Sequence, residues 1–106
     1  MTYNIELPAY KPWAVLYSHA GASVYGTLSL HHKWLIDALN TGKYPDFMEV
    51  NAEGMITSPT GNKEPAIAMI RREALIVARD YYNLLTAESE QLAISDYIAS
   101  IDSIQL

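Results

Sequence analysis

The side chains of this 106-residue chain that could do chemistry are three histidines, a serine beside one of them, and a cluster of arginines. His31 and His32 are adjacent. Neighbouring side chains on a helix point about 100° apart, so this pair does not converge on one metal ion. A helical chelate needs spacing near i, i+4, and neither Asp37 nor His19 supplies it. Ser18-His19 is no catalytic pair either. A serine nucleophile needs a base reached through space, an acid that orients the base and an oxyanion hole. Thr60-Gly61-Asn62-Lys63 lacks the earlier glycine and the Lys-Ser/Thr ending of a phosphate-binding loop, and Gly21 and Gly26 form no such fingerprint. The chain has no cysteine, which excludes a disulfide framework, a Cys-containing zinc site and a thiol nucleophile. These residues read as those of a non-enzymatic protein without cofactor or metal.

The remaining candidate is a cationic cluster of Lys63, Arg71, Arg72 and Arg79. Arg72 and Arg79 are seven apart, two helical turns, and share a face that could meet phosphates. Glu73 and Asp80 lie beside them. The formal net charge is −5, whereas a domain that depends on phosphate contacts is usually basic. Any DNA contact must therefore be local or multiplied over several copies. The charge is also uneven. Beyond Thr86 stand Glu88, Glu90, Asp96 and Asp102 with no Lys or Arg, an acidic surface that suits a basic protein partner.

The elements that must position these groups follow from length and pattern. One domain accounts for 106 residues, half of them hydrophobic, and the surface-to-volume ratio of so short a chain keeps its stability modest. No apolar run reaches the roughly 18–20 residues of a membrane span, and Arg71 and Arg72 interrupt the nearest one. The stretch Trp13–Tyr17 before Ala20-Gly21-Ala22 is shorter than the roughly 7–15 residues of a signal-peptide core. The absence of cysteine fits a reducing compartment, so a cytoplasmic location without membrane contact is expected.

The predicted fold is mainly α, about four helices with one small β-hairpin, in a single helical domain over residues 1–106 with an extended arm at about 1–12. Pro8 and Pro12 keep the arm out of a helix, and Tyr3, Ile5 and Leu7 alternate with polar residues, a pattern that allows a short strand. Tyr10 and Trp13 are expected to pin it. A short helix is predicted from about 12 to 20, stopped near Gly21, then a second one capped by Ser23 and running to about Asn40. Val24, Tyr25, Leu28, Leu35, Ala38 and Leu39 form its apolar face. Gly42 stops it and Pro45 blocks a restart. Phe47–Val50 and Met55–Ser58 flank Asn51-Ala52-Glu53-Gly54 and read as a hairpin.

The longest helix is predicted from about Pro65 to about Leu85. Ile67, Ile70, Ala74, Val77, Tyr81 and Leu85 make one stripe, widened by Met69, Leu75, Ile76 and Leu84. So wide a surface implies burial on two sides and suggests a partner. Thr86 is expected to cap the last helix, with Glu88 and Glu90 in its first turn. Ile94, Tyr97, Ile98 and Ile101 fall on one face, predicted to be a partner-binding surface. Of the eight tyrosines and two tryptophans, Tyr25, Trp34 and Tyr81 sit at core spacing, a better reading than base stacking.

The second half resembles one class of phage terminase small subunits. Ser58-Pro59-Thr60-Gly61-Asn62-Lys63-Glu64-Pro65-Ala66 leads into Arg71-Arg72-Glu73-Ala74-Leu75. Ala78-Arg79-Asp80-Tyr81-Tyr82 and Leu84-Leu85-Thr86-Ala87-Glu88-Ser89 follow. In that class a threonine/glycine turn precedes an Asn-Pro or His-Pro helix start, and a Gly-Leu-Thr-Pro-Ser-Ser-Arg-like stop ends the helix. Here Leu84 replaces the glycine, Ala87 the proline, and the last arginine is missing. The resemblance covers about residues 55–92, and the first half lacks the long helical pair of the class. It implies a non-enzymatic oligomer, homo-oligomer or obligate heteromer, that contacts viral DNA or the packaging motor. The departures leave room for the alternative, a small acidic mobile-element protein that binds and redirects or inhibits a protein partner such as a terminase subunit.

Overall fold

Three α-helices, with α2 in the middle, make the body of the protein in a computed structural model that describes residues 2–16, 18–57 and 64–105. Their bounds are α1 Ser18–Thr41, α2 Ala66–Leu84 and α3 Glu88–Asp102. α1 packs on α2, and α2 packs on α3. The apolar stripe of α2 is thus largely covered by the chain's own helices, while Ile76, predicted to widen it, stays exposed. Ala74 and Ala78 are completely buried along it, and such small side chains let a neighbouring helix approach closely. Leu28, Leu35, Ile94 and Ile101 are the largest fully buried side chains, each stabilising the fold by about 1.5–3 kcal/mol.

The first two predicted helices are not separate. Among the described residues only a 3-10 turn, Pro12–Ala14, forms before α1, and Gly21 and Ser23 lie inside α1. Gly21 marks a close approach instead of a stop: a Cβ there would meet Val15 Cγ2 at 2.7 Å. Val15 is held in place because residues 14–16 are tied to the end of α2. Leu16 N donates to Leu84 O at 3.0 Å, and Thr86 N to Ala14 O at 2.7 Å. Thr86 is therefore no helix cap. Its hydroxyl also points to Ala14 O, and Ala87 takes the cap position of α3 without a side-chain bond. Trp13 does not pin the arm, being 74% exposed.

The arm runs antiparallel along α1. Asn40 clamps the Tyr3 backbone at one end, accepting from Tyr3 N at 2.6 Å and donating to Tyr3 O at 3.1 Å. Farther on, the Tyr25 hydroxyl donates to Pro8 O at 2.7 Å. Ile5 and Leu7 pack inward while Asn4 and Glu6 stay exposed, so the period of two is real without a sheet. Tyr10, Tyr25 and Tyr81 then link arm, α1 and α2, with ring centroids 5.3 and 5.4 Å apart. Burial is the main cause that pushes the Tyr81 hydroxyl up to about 12.

Gly42 stops α1 at φ +71 as its position predicts. The predicted hairpin does not form as two strands. Among the described residues there are only isolated bridges, Val50↔Ile56, Met55↔Pro65 and Val15↔Leu85. The chain does reverse at Asn51–Gly54, where the Asn51 side chain accepts from Glu53 N and Met55 N and Gly54 takes φ +79. Its outgoing limb then turns to the start of α2. Ile56 N donates to Glu64 O, and Ala66 N to Gly54 O at 2.9 Å. That last bond caps α2, which has no side-chain cap. The Ser58-Pro59-Thr60-Gly61-Asn62 turn and Lys63 lie outside the described residues.

Candidate functional site

The predicted cationic stripe is divided by its own neighbours. Arg72 makes a two-pronged ion pair with Glu64, Nη1 to Oε2 at 2.9 Å and Nη2 to Oε1 at 3.0 Å. Hydrogen bonds from Arg72 hold the Glu64 carboxyl below its usual range and raise the pKa of the guanidinium in turn. Arg71 lies partly buried and donates to Ile104 O at 2.6 Å, capping the turn after α3. Arg79 is exposed and makes no hydrogen bond or ion pair among the described residues. The three arginines are on one helix, but only Arg79 presents an unengaged charge.

The isoleucine face of α3 faces inward. Ile94, Tyr97 and Ile101 are buried and Ile98 is half-buried against the same core. The predicted partner-binding surface is thus filled by this chain's own helices. The physical reason is the short connection: only Leu85, Thr86 and Ala87 separate α2 from α3, so α3 folds back and its apolar face meets the one beside it. Arg71, in the first half of α2, touching Ile104 beyond the end of α3 shows that antiparallel return.

The opposite face of α3 is open. Glu88, Leu92 and Asp96 succeed one another at four-residue spacing and form one line. All three are exposed, Leu92 by 64%. Asp102 is exposed in the last turn, where no Lys or Arg offsets it. A carboxylate at the negative end of a helix costs about 0.3–1 kcal/mol, so Asp102 does not stabilise α3. Glu90 differs, for its carboxylate binds Lys11 at 2.9 Å.

His31 and His32 diverge as adjacent helical residues must. His31 Nδ1 lies 2.8 Å from Thr27 O, and its ring meets Trp34 edge-on. His32 turns to α3, where its Nδ1 shares a 2.6 Å hydrogen bond with the Tyr97 hydroxyl. Burial lowers the His32 pKa and raises that of Tyr97. His32 is half-buried at the α1–α3 contact, a placement the sequence alone did not assign to it. Its signal was present: His32 stands four after Leu28 and three before Leu35, on the apolar stripe. Among the described residues no three His, Cys, Asp or Glu groups gather as metal ligands, and no helix is long and apolar enough to cross a membrane.

One recess was not foreseen. Trp34 on α1, Phe47 and Met48 on the connector, and Met69 and Glu73 on α2 enclose about 40 Å³, with His31 at the side. Trp34 and Phe47 meet edge to face, centroids 5.3 Å apart at 66°. The same two rings wall a wider groove of about 450 Å³ that also touches Lys33, Asp37, Lys43 and Asp46. Nothing in the spacing of Trp34 and Phe47 could predict the pair, because it depends on how the connector lies across α1.

Compared with protein-family models, curated proteins and solved structures, the chain finds no match.

Proposed function

We propose that this chain is a non-enzymatic protein-binding module that works as a heteromer and, in the setting the terminase resemblance implies, contacts the packaging motor and not DNA. The observation that carries this reading is the outer face of α3, where Glu88 and Asp96 flank an exposed Leu92 and Asp102 adds a further exposed carboxylate in the last turn. An exposed leucine among carboxylates suits a basic surface with an apolar pocket: charge steers the encounter and the buried leucine holds it. Self-association through the same face would set like charges against each other in a two-fold contact. DNA contact is disfavoured because Arg72 and Arg71 are engaged within the fold. The apolar stripe that suggested an oligomer is largely covered by α1 and α3.

The test is a titration of the chain with a packaging-motor subunit of the genome that encodes it, beside one with duplex DNA. A motor complex that weakens with salt and is lost in Leu92→Asp and Asp96→Lys, with the chain alone a monomer in light scattering, is the expected result. Tight duplex binding with no motor complex would reject the proposal.

A further inference from the structure

The recess between Trp34, Phe47 and Glu73 sets two aromatic rings beside a carboxylate. Phe47 is 67% exposed, although its ring is held edge-on to Trp34. Glu73 is half-buried at the same recess. Its carboxylate makes no hydrogen bond and no ion pair among the described residues. Arg72, beside it in sequence, feels its charge, but the guanidinium is turned onto Glu64. A half-buried carboxylate next to two aromatic rings is short of a cation.

Size narrows the ligand. Pockets for cofactors and similar small molecules usually measure about 300–1,000 Å³. One water needs about 10–15 Å³, so a recess of about 40 Å³ takes roughly three water-sized groups. That is an ammonium head with the last methylenes of its stem. Met48 and Met69 supply soft, adaptable walls for such a stem. A guanidinium is planar and wider, and fits such a recess less well.

We propose that this recess receives an alkylammonium group, presented as a lysine side chain of the partner. The ammonium faces Glu73, and its stem lies along the paired Trp34 and Phe47 rings. The wider groove next to it, with Lys33, Lys43, Asp37 and Asp46 along it, accommodates the backbone and neighbouring side chains of the same segment. The identity of the source rests on the partner-binding reading above; the ammonium chemistry of the recess does not.

The experiment therefore uses a probe without any partner. Nα-acetyl-lysine amide is titrated into the isotopically labelled chain, with its Nε-acetylated counterpart as a neutral control and sodium chloride as an ionic-strength control. The two tryptophan indole N–H signals are followed. The lysine probe should shift the Trp34 signal with millimolar affinity and leave Trp13 in place, while both controls leave Trp34 unmoved. Glu73→Gln should weaken binding about tenfold, equivalent to about 1.4 kcal/mol. Arg72→Gln, which removes a guanidinium that interacts with the Glu73 charge, should strengthen it. Circular dichroism confirms that each variant is folded. Equal binding of the neutral probe, a silent Trp34 signal, or an unchanged affinity in Glu73→Gln would each overturn the proposal. A probe that binds this recess in a chain that forms no motor complex would leave the ammonium site standing and reject the partner reading.

Discussion

Arg72 and Glu64 face each other through two parallel hydrogen bonds of 2.9 and 3.0 Å, and this pairing removes the central charge of the only cationic stripe on α2. A guanidinium held by both its prongs is not presented to a phosphate.

Duplex DNA binding should therefore be weak and nearly indifferent to salt in the wild type. Each arginine that meets a phosphate adds about one unit to the slope of log affinity against log salt. Glu64→Gln frees Arg72 and should steepen that slope toward one unit, while Arg72→Glu with Arg79→Glu should change little from wild type. A fluorescence titration at several salt concentrations measures all three. Steep wild-type binding that the double variant removes would restore direct DNA recognition.

The two helical glycines of α1 should respond oppositely to alanine. At Gly26 nothing lies within 4 Å of an added Cβ, so Gly26→Ala should gain about 0.5–1 kcal/mol of helix propensity. At Gly21 the same Cβ meets Val15, whose branched side chain is stiff. Overpacking costs about 1–3 kcal/mol, which outweighs the propensity gain. Thermal melts should show one variant above wild type and one below, and Val15→Ala should relieve part of the Gly21→Ala loss. A stabilised Gly21→Ala protein would mean that the close approach is absent.

The two faces of α3 should separate stability from binding. Ile101 is completely buried, so Ile101→Ala should cost about 2–5 kcal/mol in chemical denaturation. Leu92→Asp lies on the open face and should stay within about 0.5 kcal/mol of wild type. The motor titration should read the reverse order, with Leu92→Asp lacking binding and Ile101→Ala retaining it at temperatures where it is folded.

Acid should loosen the contact between α1 and α3. Burial lowers the His32 pKa in the folded state, so between that value and the ordinary one of about 6.5 the unfolded chain binds more protons. This contribution to stability is present above about pH 6.5 and is lost as the pH falls through the folded-state value. Melting temperature should drop on acidification from neutral pH, and His32→Gln should flatten that part of the profile. An unchanged profile in His32→Gln would show that His32 is not the titrating group.

The sequence alone determined the features that are local. Gly42 and Pro45 end α1, since a left-handed glycine and a proline act within a turn. The helix expected over about 65–85 appears at Ala66–Leu84, and Glu88 and Glu90 stand in the first turn of α3 as predicted. The alternation at Tyr3, Ile5 and Leu7, which allowed a short strand, appears as one half-buried side of an arm that forms no strand. Only the tertiary structure decided the rest. Gly21 reads as a stop by propensity, yet it lies inside α1, where Val15 occupies the space that a side chain would need. The hairpin yields because Ile56 and Gly54 pair with Glu64 and Ala66 at the start of α2. The isoleucines of α3 look like a docking face until the fold-back against α2 buries them. Arg72 looks like a phosphate ligand until Glu64, eight residues away, takes it. Lys11 and Glu90 meet across 79 residues, and Tyr3 and Asn40 across 37. Periodicity and propensity report the energy of a few neighbouring residues, whereas these pairings depend on surfaces that come together only when the whole chain has buried its apolar stripes.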